Sequence, residues 1–154
     1  HVHTAGNSPA MADAAALVLI GDEALSDKLA VRPRAVIKAM ATASDEPLQV
    51  LAGCVAATKK LLAKEGLGIG DIDLFEVHEA FAATIIKLQT DLQIPSEKLN
   101  VNGGVIALGH PLGATGSIML GVLLDELERR QLKTGLVATS GATGLGTAML
   151  IERV

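Results

Sequence analysis

Two histidines of the sequence occupy positions from which an imidazole could do chemistry. His78 follows the apolar, strand-like run Asp73–Val77, and His110 is held between Gly109 and Pro111. We expect each to lie where a buried strand leads into a helix. The helix dipole lowers the pKa of an imidazole at such a place, so that a neutral ring can donate a hydrogen bond to a carbonyl oxygen. A single histidine of this kind more often bonds only to the backbone, but two at equivalent positions make a catalytic role an equal alternative.

The other candidate reactive side chains lie outside the known nucleophile and metal motifs. Ser140 opens a turn of small residues over 140–146, without the Gly-x-Ser-x-Gly pattern of a nucleophilic serine. Cys54, the single cysteine, falls on the apolar face of a predicted helix and is expected to be a packed core thiol. Glu79 could act as an acid or base, although a first-turn helix acid is the commoner role. No group of His, Cys and Asp has the spacing of a metal site, so we expect no metal.

A glycine-rich stretch over 100–116, with the sequence NVNGGVIALGHPLGATG, surrounds His110. Glycines allow tight turns and a close approach of the backbone. Loops of this kind often bind phosphate ahead of a helix, but neither a Walker nor a dinucleotide-binding pattern is present. We therefore expect the glycines to give a substrate access to His110.

Composition limits the chain to one domain and excludes several classes of protein. Its 154 residues (15.8 kDa) are 49% hydrophobic and 19% charged, unlike a disordered chain. The net charge of −4 gives no footprint for DNA or RNA, and a single cysteine excludes an internal disulfide. We expect neither a membrane span nor an N-terminal signal peptide, and we assign no role to His1 and His3.

The pattern of apolar residues predicts helices and strands that alternate until a closing hairpin. Such alternation favours a layered α/β domain with a mixed sheet. The predicted helices cover 10–16, 21–30, 47–65, 78–93 and the segment from the glycine-rich stretch to about 131, and extended pieces cover 17–20, 34–42, 73–77, 98–102, 135–139 and 147–153.

Three blocks of the sequence resemble the C-terminal half of the thiolase family, the acyl-CoA:acetyl-CoA C-acyltransferases. They are TAGN over 4–7 with Asp13 and the alanines after it, DIDLFEVHEAFA over 71–82, and the glycine-rich stretch over 100–116. Their order and spacing agree with the family over nearly all 154 residues. The resemblance implies one thiolase-like C-terminal domain over 1–154, with helices packed on both faces of a mixed sheet.

The resemblance also implies roles for individual residues. His110 corresponds to the histidine that activates the nucleophilic cysteine and helps to form an oxyanion hole for the thioester oxygen. His78 stands where most thiolases have an asparagine that holds a catalytic water, and its His-Glu-Ala-Phe sequence resembles a subfamily of fatty-acid β-oxidation complexes. Ala80 and Phe81 would line the substrate channel, and Gly109 would contact the substrate.

The loop at Asn7 and Ser8 would contact coenzyme A in the same way. Here the sequence departs from the family, because Pro9 and Ala10 stand where a serine and a glycine are usual. The coenzyme A contact is therefore the less specific part of the resemblance.

A second departure concerns proton transfer. Ser140 stands where thiolases carry an acid/base cysteine. A cysteine thiol has a pKa near about 8.5 and can be tuned to transfer protons at neutral pH, whereas the pKa of an alcohol is many units higher. The backbone N–H of Ala142 would still serve a second oxyanion hole, because that donor needs no particular side chain.

The nucleophilic cysteine of thiolases lies in an N-terminal half that this sequence does not contain, and Cys54 lies in no nucleophile motif. The leading hypothesis is the C-terminal half of a thiolase-type acyltransferase, as a fragment or a subunit, inactive without an N-terminal half. Complete, it would cleave 3-ketoacyl-CoA with coenzyme A or condense acyl-CoAs in reverse. The alternative is a non-catalytic subunit that binds CoA esters or forms a scaffold, and the third reading is a ketosynthase-like enzyme with a Cys-His-His site.

The resemblance also sets expectations about ligands and surroundings. No bound cofactor is expected, since coenzyme A would be a substrate. The expected partners are an acyl-CoA, the N-terminal half and further subunits of a homo- or hetero-oligomer. A cytoplasmic location is expected, and the single cysteine agrees with a reducing compartment.

Overall fold

The computed structural model describes residues 2–154 and has a four-stranded sheet at its centre. The strands are β1 Ala35–Ser44, β2 Leu74–Val77, β3 Thr134–Ser140 and β4 Leu145–Arg153, and their order in the sheet is β1–β4–β3–β2. β2 runs parallel to β3, whereas β4 is antiparallel to both of its neighbours. The α-helices are α1 Glu23–Leu29, α2 Gly53–Glu65, α3 Ala82–Leu92, α4 Val105–Leu108 and α5 Thr115–Arg130.

Helices cover both faces of this sheet. On one face α2 packs on β1, β3 and β4, and its Leu61 belongs to a buried cluster with Phe75 and with Leu88 of α3. On the other face α5 packs on β2 and β3 through Leu123 and Leu127. All four residues of β2 are buried, as is usual for a parallel strand covered on both sides. The predicted mixed sheet with helices on both faces is confirmed.

The predicted helix over 10–16 and strand over 17–20 are wrong. Met11 forms a parallel bridge with His110, and the chain from 12 to 22 has no regular structure. The backbone groups on either side of Met11 bond to His110, so they are not available for a helix. No strand within residues 2–154 pairs with 17–20, where the side chain of Leu17 is 96% exposed.

The helix predicted over 47–65 begins six residues late, at Gly53. Pro47–Gln49 forms a separate turn of 3-10 helix, and Val50 has a φ of 57°, which an α-helix cannot contain. The C-terminal end agrees with the prediction, because Gly66 takes the left-handed conformation (φ 68°) that ends the helix.

Two further boundaries differ from the sequence pattern. The helix predicted over 78–93 begins at Ala82, because the chain before it continues the pairing with β3 beyond the end of β2. The extended piece predicted over 98–102 is reduced to a single bridge between Leu99 and Phe75. None of the helices in residues 2–154 has the length and apolar character that a membrane crossing needs.

Candidate active site

His78 and His110 lie side by side at the carboxyl-terminal end of β2. Their ring centroids are 4.5 Å apart and the ring planes are tilted by 40°. The two residues are 32 positions apart in the sequence, so only the tertiary fold brings them together. The structure therefore brings together the two histidines that the sequence singled out. Their hydrogen bonds determine which ring nitrogens carry protons.

The backbone of His78 extends the parallel pairing of β2 and β3. Its N–H donates to the carbonyl oxygen of Ala138 at 2.9 Å, one residue beyond the paired Val77. Both strands end here, so the imidazole of His78 reaches Ser140, the last residue of β3. Its Nδ1 lies 3.3 Å from the Ser140 carbonyl oxygen. Since a carbonyl only accepts hydrogen bonds, this contact places the ring proton on Nδ1.

The other ring nitrogen of His78, Nε2, is buried and has no hydrogen-bond partner among residues 2–154. Burial lowers the pKa of His78 below its usual 6.5, and the neighbouring His110 lowers it further. The ring is therefore neutral at neutral pH. With its proton on Nδ1, it leaves Nε2 as an unused proton acceptor within the site.

His110 is held both through its backbone and through its ring. Its N–H donates to the Ala10 carbonyl oxygen at 2.8 Å, and its own carbonyl accepts from the N–H of Ala12 at 3.4 Å. The ring Nδ1 lies 2.7 Å from the hydroxyl of Thr115, the buried first residue of α5. Burial lowers the pKa of His110 as well, so both imidazoles are neutral at neutral pH.

Neither histidine lies at the N-terminus of an adjoining helix, contrary to expectation. His78 precedes α3 by four residues, and His110 follows the short helix α4 and precedes α5 by five. The predicted lowering of pKa is found, but its cause is burial for both rings, with the neighbouring His110 as a second cause for His78. A strand before His110 was also wrongly predicted, since the residues there are helical.

Glu79 connects β2 to the segment 103–114, which includes the short helix α4 and is referred to as the loop that carries His110. One of its carboxylate oxygens accepts the backbone N–H of Ile106 at 3.0 Å, and the other accepts from the Asn100 amide at 3.2 Å. The amide of Asn100 also bonds to both backbone groups of Val77, at 2.7 and 2.9 Å. Glu79 precedes α3, so its predicted place in the first helical turn is wrong. The roles of Glu79 and Asn100 were missed because nothing in their local sequence indicates partners so far along the chain.

The Ser140 hydroxyl is buried and already engaged. Its Oγ accepts the backbone N–H of Cys54 at 3.0 Å, near the start of α2, where helix N–H groups have no partner within the helix. Cys54 is fully buried, and burial raises the pKa of its thiol. The prediction of a packed core thiol is confirmed. Ala142 lies in the exposed turn after β3, and among residues 2–154 its N–H donates no hydrogen bond.

The remaining predicted substrate contacts lie along the start of α3. Ala80 is buried, and the Phe81 ring packs against His3 with a centroid distance of 4.7 Å. The carbonyl of Asn7 accepts the N–H of Ala82 at 3.0 Å, while the Asn7 side chain bonds within its own loop, to Thr4 and Val2 and to the Ser8 hydroxyl. His3 was assigned no role and is exposed, and His1 lies outside the described residues. Within residues 2–154 no group of three metal-ligating side chains is present.

Gly109 allows the N-terminal segment to pass directly over the loop. Its φ of 92° and ψ of 158° belong to a region that side-chain-bearing residues avoid. A Cβ at this position would lie 2.7 Å from the Cβ of Ala12, which is the residue whose N–H bonds to His110. Gly109 is thus needed for the backbone hydrogen bonds that hold His110.

We predict that Gly109→Ala lowers the free energy of unfolding by about 2 kcal/mol, from backbone strain together with the contact to Ala12. Urea denaturation of the chain measures this. Gly113→Ala is the matched control, because a Cβ there meets nothing within 4 Å. Equal unfolding midpoints for both variants would show that Gly109 does not constrain the loop.

Comparisons with known proteins show the family to which the chain belongs. The family description "Thiolase, C-terminal domain" matches residues 31–153. An acetyl-CoA acetyltransferase of Chromobacterium violaceum is 44% identical over 97% of this chain and 38% of its own length. A 3-ketoacyl-CoA thiolase of Citrobacter koseri is 44% identical over 98% of the chain and 40% of its own length.

A solved structure gives the same result. The crystal structure of the Bacillus anthracis acetyl-CoA acetyltransferase superposes with a TM-score of 0.82 at 35% identity, over 86% of this chain and 34% of that one. The chain spans about two-fifths of the length of the curated relatives. The match of fold and sequence over most of the chain shows that it belongs to the thiolase family, as a thiolase C-terminal domain.

Proposed function

We propose that this chain is the C-terminal part of a thiolase-type acyltransferase and contributes His78 and His110 to its active site. The supporting observation is the neutral pair of His78 and His110, whose rings lie 4.5 Å apart with the buried Nε2 of His78 unpartnered. The proposed substrates are acyl-CoA and 3-ketoacyl-CoA thioesters, as the names of the relatives suggest. Coenzyme A acts as a substrate, and no metal or bound cofactor takes part in the proposed reaction.

The nucleophile in this proposal comes from outside the 154 residues. Cys54 is unsuitable because it is fully buried and burial raises the pKa of its thiol. A cysteine of the N-terminal part would give its proton to Nε2 of neutral His110, and its thiolate would attack the C3 carbonyl of the 3-ketoacyl-CoA. The same Nε2, now carrying the proton, would donate to the oxygen on which negative charge develops.

The release of acetyl-CoA, which completes the first half of the reaction, needs a further proton. Cleavage of the bond between C2 and C3 leaves the acyl group on the cysteine and releases acetyl-CoA as an enolate, which must be protonated at C2. The thiol of coenzyme A then gives up its proton and attacks the acyl-cysteine, and the products are acyl-CoA and the free cysteine. Ser140 is poorly suited to protonating C2, since an alcohol is a much weaker acid than a thiol and its oxygen accepts the Cys54 N–H. The N–H of Ala142 would face the enolate oxygen, and Gly109, Ala80, Phe81, Asn7 and Ser8 would contact the acyl-CoA.

Ser140 stands where thiolases carry an acid/base cysteine, and this difference leaves two other functions as alternatives. A non-catalytic subunit that binds CoA esters would lose little by it, because binding needs no proton transfer. In the condensation direction, a ketosynthase-like site would instead use the free Nε2 of His78 to accept the proton from C2, and the unpartnered state of that atom favours this over scaffolding alone. The proton-transfer capacity of residue 140 therefore separates the three functions.

A chimera tests the proposal directly. The C-terminal 38% of the Chromobacterium violaceum acetyl-CoA acetyltransferase is replaced by this chain, and the product is assayed for acyl-enzyme formation and for acetoacetyl-CoA thiolysis. We expect acyl-enzyme to form with Ser140 or with Ser140→Cys, and thiolysis to be faster by about 100-fold with the cysteine, the usual effect of one general acid or base. His110→Ala should abolish the acyl-enzyme.

Each alternative has its own outcome in this assay. Fast thiolysis that Ser140→Cys does not improve indicates a ketosynthase-like use of the two histidines. Acyl-enzyme in the parent enzyme but in neither chimera supports the non-catalytic function. A labelled acyl-enzyme that persists in His110→Ala removes His110 from the first step.

The pH dependence of acyl-enzyme formation follows from the two lowered pKa values. The neutral imidazoles are the active forms, and burial favours them, so the rate should fall only when the pH drops below 6.5, the usual histidine value. Rapid-quench measurement of the acyl-enzyme across this range gives the midpoint. A midpoint above 6.5 would contradict the account of two neutral rings.

A further inference from the structure

Glu76 is a buried carboxyl group that the proposed reaction does not use. It is the third residue of β2, it is 4% exposed, and its carboxyl group makes no hydrogen bond among residues 2–154. Leu74 and Glu76 face α5, whereas Phe75 and Val77 between and after them face α2 and α3. A carboxyl group without a partner is costly at such a place, so its presence calls for a role.

The Glu76 carboxyl group borders a cavity of about 60 Å³ between β2, α5 and the loop that carries His110. This volume is sufficient for one or more water molecules. Glu79 and the backbone of Gly103 and Gly104 supply polar groups to its wall, and a Cβ on Gly104 would lie 2.6 Å from a Glu79 carboxylate oxygen. Asn102 and Val77 also border the cavity, and the rest of its wall is apolar, from Val105, Leu108, Ile118, Met119 and Val122.

Burial and the charges around the cavity together determine the protonation of Glu76. Of the residues in its wall, Glu79 is the one other titratable group, and α5 and β3 present apolar side chains there. Glu126 of α5 is not part of the cavity wall; it accepts a hydrogen bond from the Asn102 amide and is paired with two arginines. Burial and then the nearby Glu79 raise the pKa of Glu76 to about 8. At neutral pH Glu76 is therefore a neutral acid and a hydrogen-bond donor.

We propose that Glu76 is a positioning residue: its neutral carboxyl group donates, through water in this cavity, to the Glu79 carboxylate and so stabilises the loop that carries His110. Each Glu79 oxygen accepts one bond, from Ile106 or Asn100, and has room for another donor. Ionised Glu76 could not donate and would repel Glu79. The loop would then lose its support as Glu76 ionises.

One test uses three substitutions in the chimera described above, and it rests on the proposed function. Glu76→Gln keeps a neutral donor at every pH, Glu76→Leu removes the donor, and Glu97→Gln changes an exposed residue away from the site. At pH 7 we expect Glu76→Leu to slow acyl-enzyme formation about tenfold, the effect of one lost hydrogen bond to a charged group. At pH 7, Glu76→Gln and Glu97→Gln should form the acyl-enzyme at the same rate. Above pH 8 the rate should fall in Glu97→Gln, which retains Glu76, but not in Glu76→Gln.

A second test does not depend on activity. Hydrogen exchange of the Ile106 amide, which donates to Glu79, reports on the loop in the 154-residue chain. At pH 7 Glu76→Leu should accelerate this exchange about tenfold relative to Glu76→Gln and Glu97→Gln. Equal exchange in all three variants overturns the proposal. An inactive chimera together with accelerated exchange refutes the proposed function but supports the role of Glu76.

Discussion

The backbone N–H of His78 donates to the carbonyl of Ala138, which extends the parallel pairing of β2 and β3 by one residue. This bond brings the His78 ring to the Ser140 carbonyl, and that carbonyl determines which ring nitrogen carries the proton. A shift of one residue in this register would turn His78 to the opposite face of the sheet. The chemistry of the site therefore depends on the packing of β2, whose four residues are all buried.

The position of His110 depends on a different set of contacts. Ala10 and Ala12 bond to its backbone from one side, Thr115 bonds to its ring from another, and Glu79 ties the preceding loop to the end of β2. These contacts join the N-terminal segment, α5 and β2 at a single residue. The two histidines, held by different sets of contacts, thus have ring centroids 4.5 Å apart. The single cysteine of the chain, Cys54, is fully buried and unsuited to act as the nucleophile.

Much of the fold and both histidines of the candidate site could be predicted from the sequence, but the physical causes were predicted only in part. The pattern of apolar residues correctly predicted α5 and the closing hairpin, because their burial depends on local periodicity. It failed for residues 10–20, because Ala10 and Ala12 bond to His110 about 100 positions away and no strand among the described residues pairs with 17–20. It identified both histidines but attributed their lowered pKa to helix dipoles, whereas burial is the cause.

The residues that support the site were harder to foresee. Glu79 looks like an ordinary helix-start acid, and Asn100 like a loop residue, until the fold brings them together. Family resemblance identified the departure at Ser140, and the structure adds that its hydroxyl accepts a hydrogen bond from α2. A local pattern cannot predict contacts of this kind, because they depend on the register of the sheet.

The site depends on a neutral His78 ring that carries its proton on Nδ1 and has a free acceptor at Nε2. Nitrogen-15 NMR of the histidine rings in the 154-residue chain tests this most directly, at pH 6.5, where an unperturbed ring would be half protonated. We predict the shifts of a neutral ring protonated at Nδ1. A ring protonated at both nitrogens, or at Nε2 alone, would contradict the account.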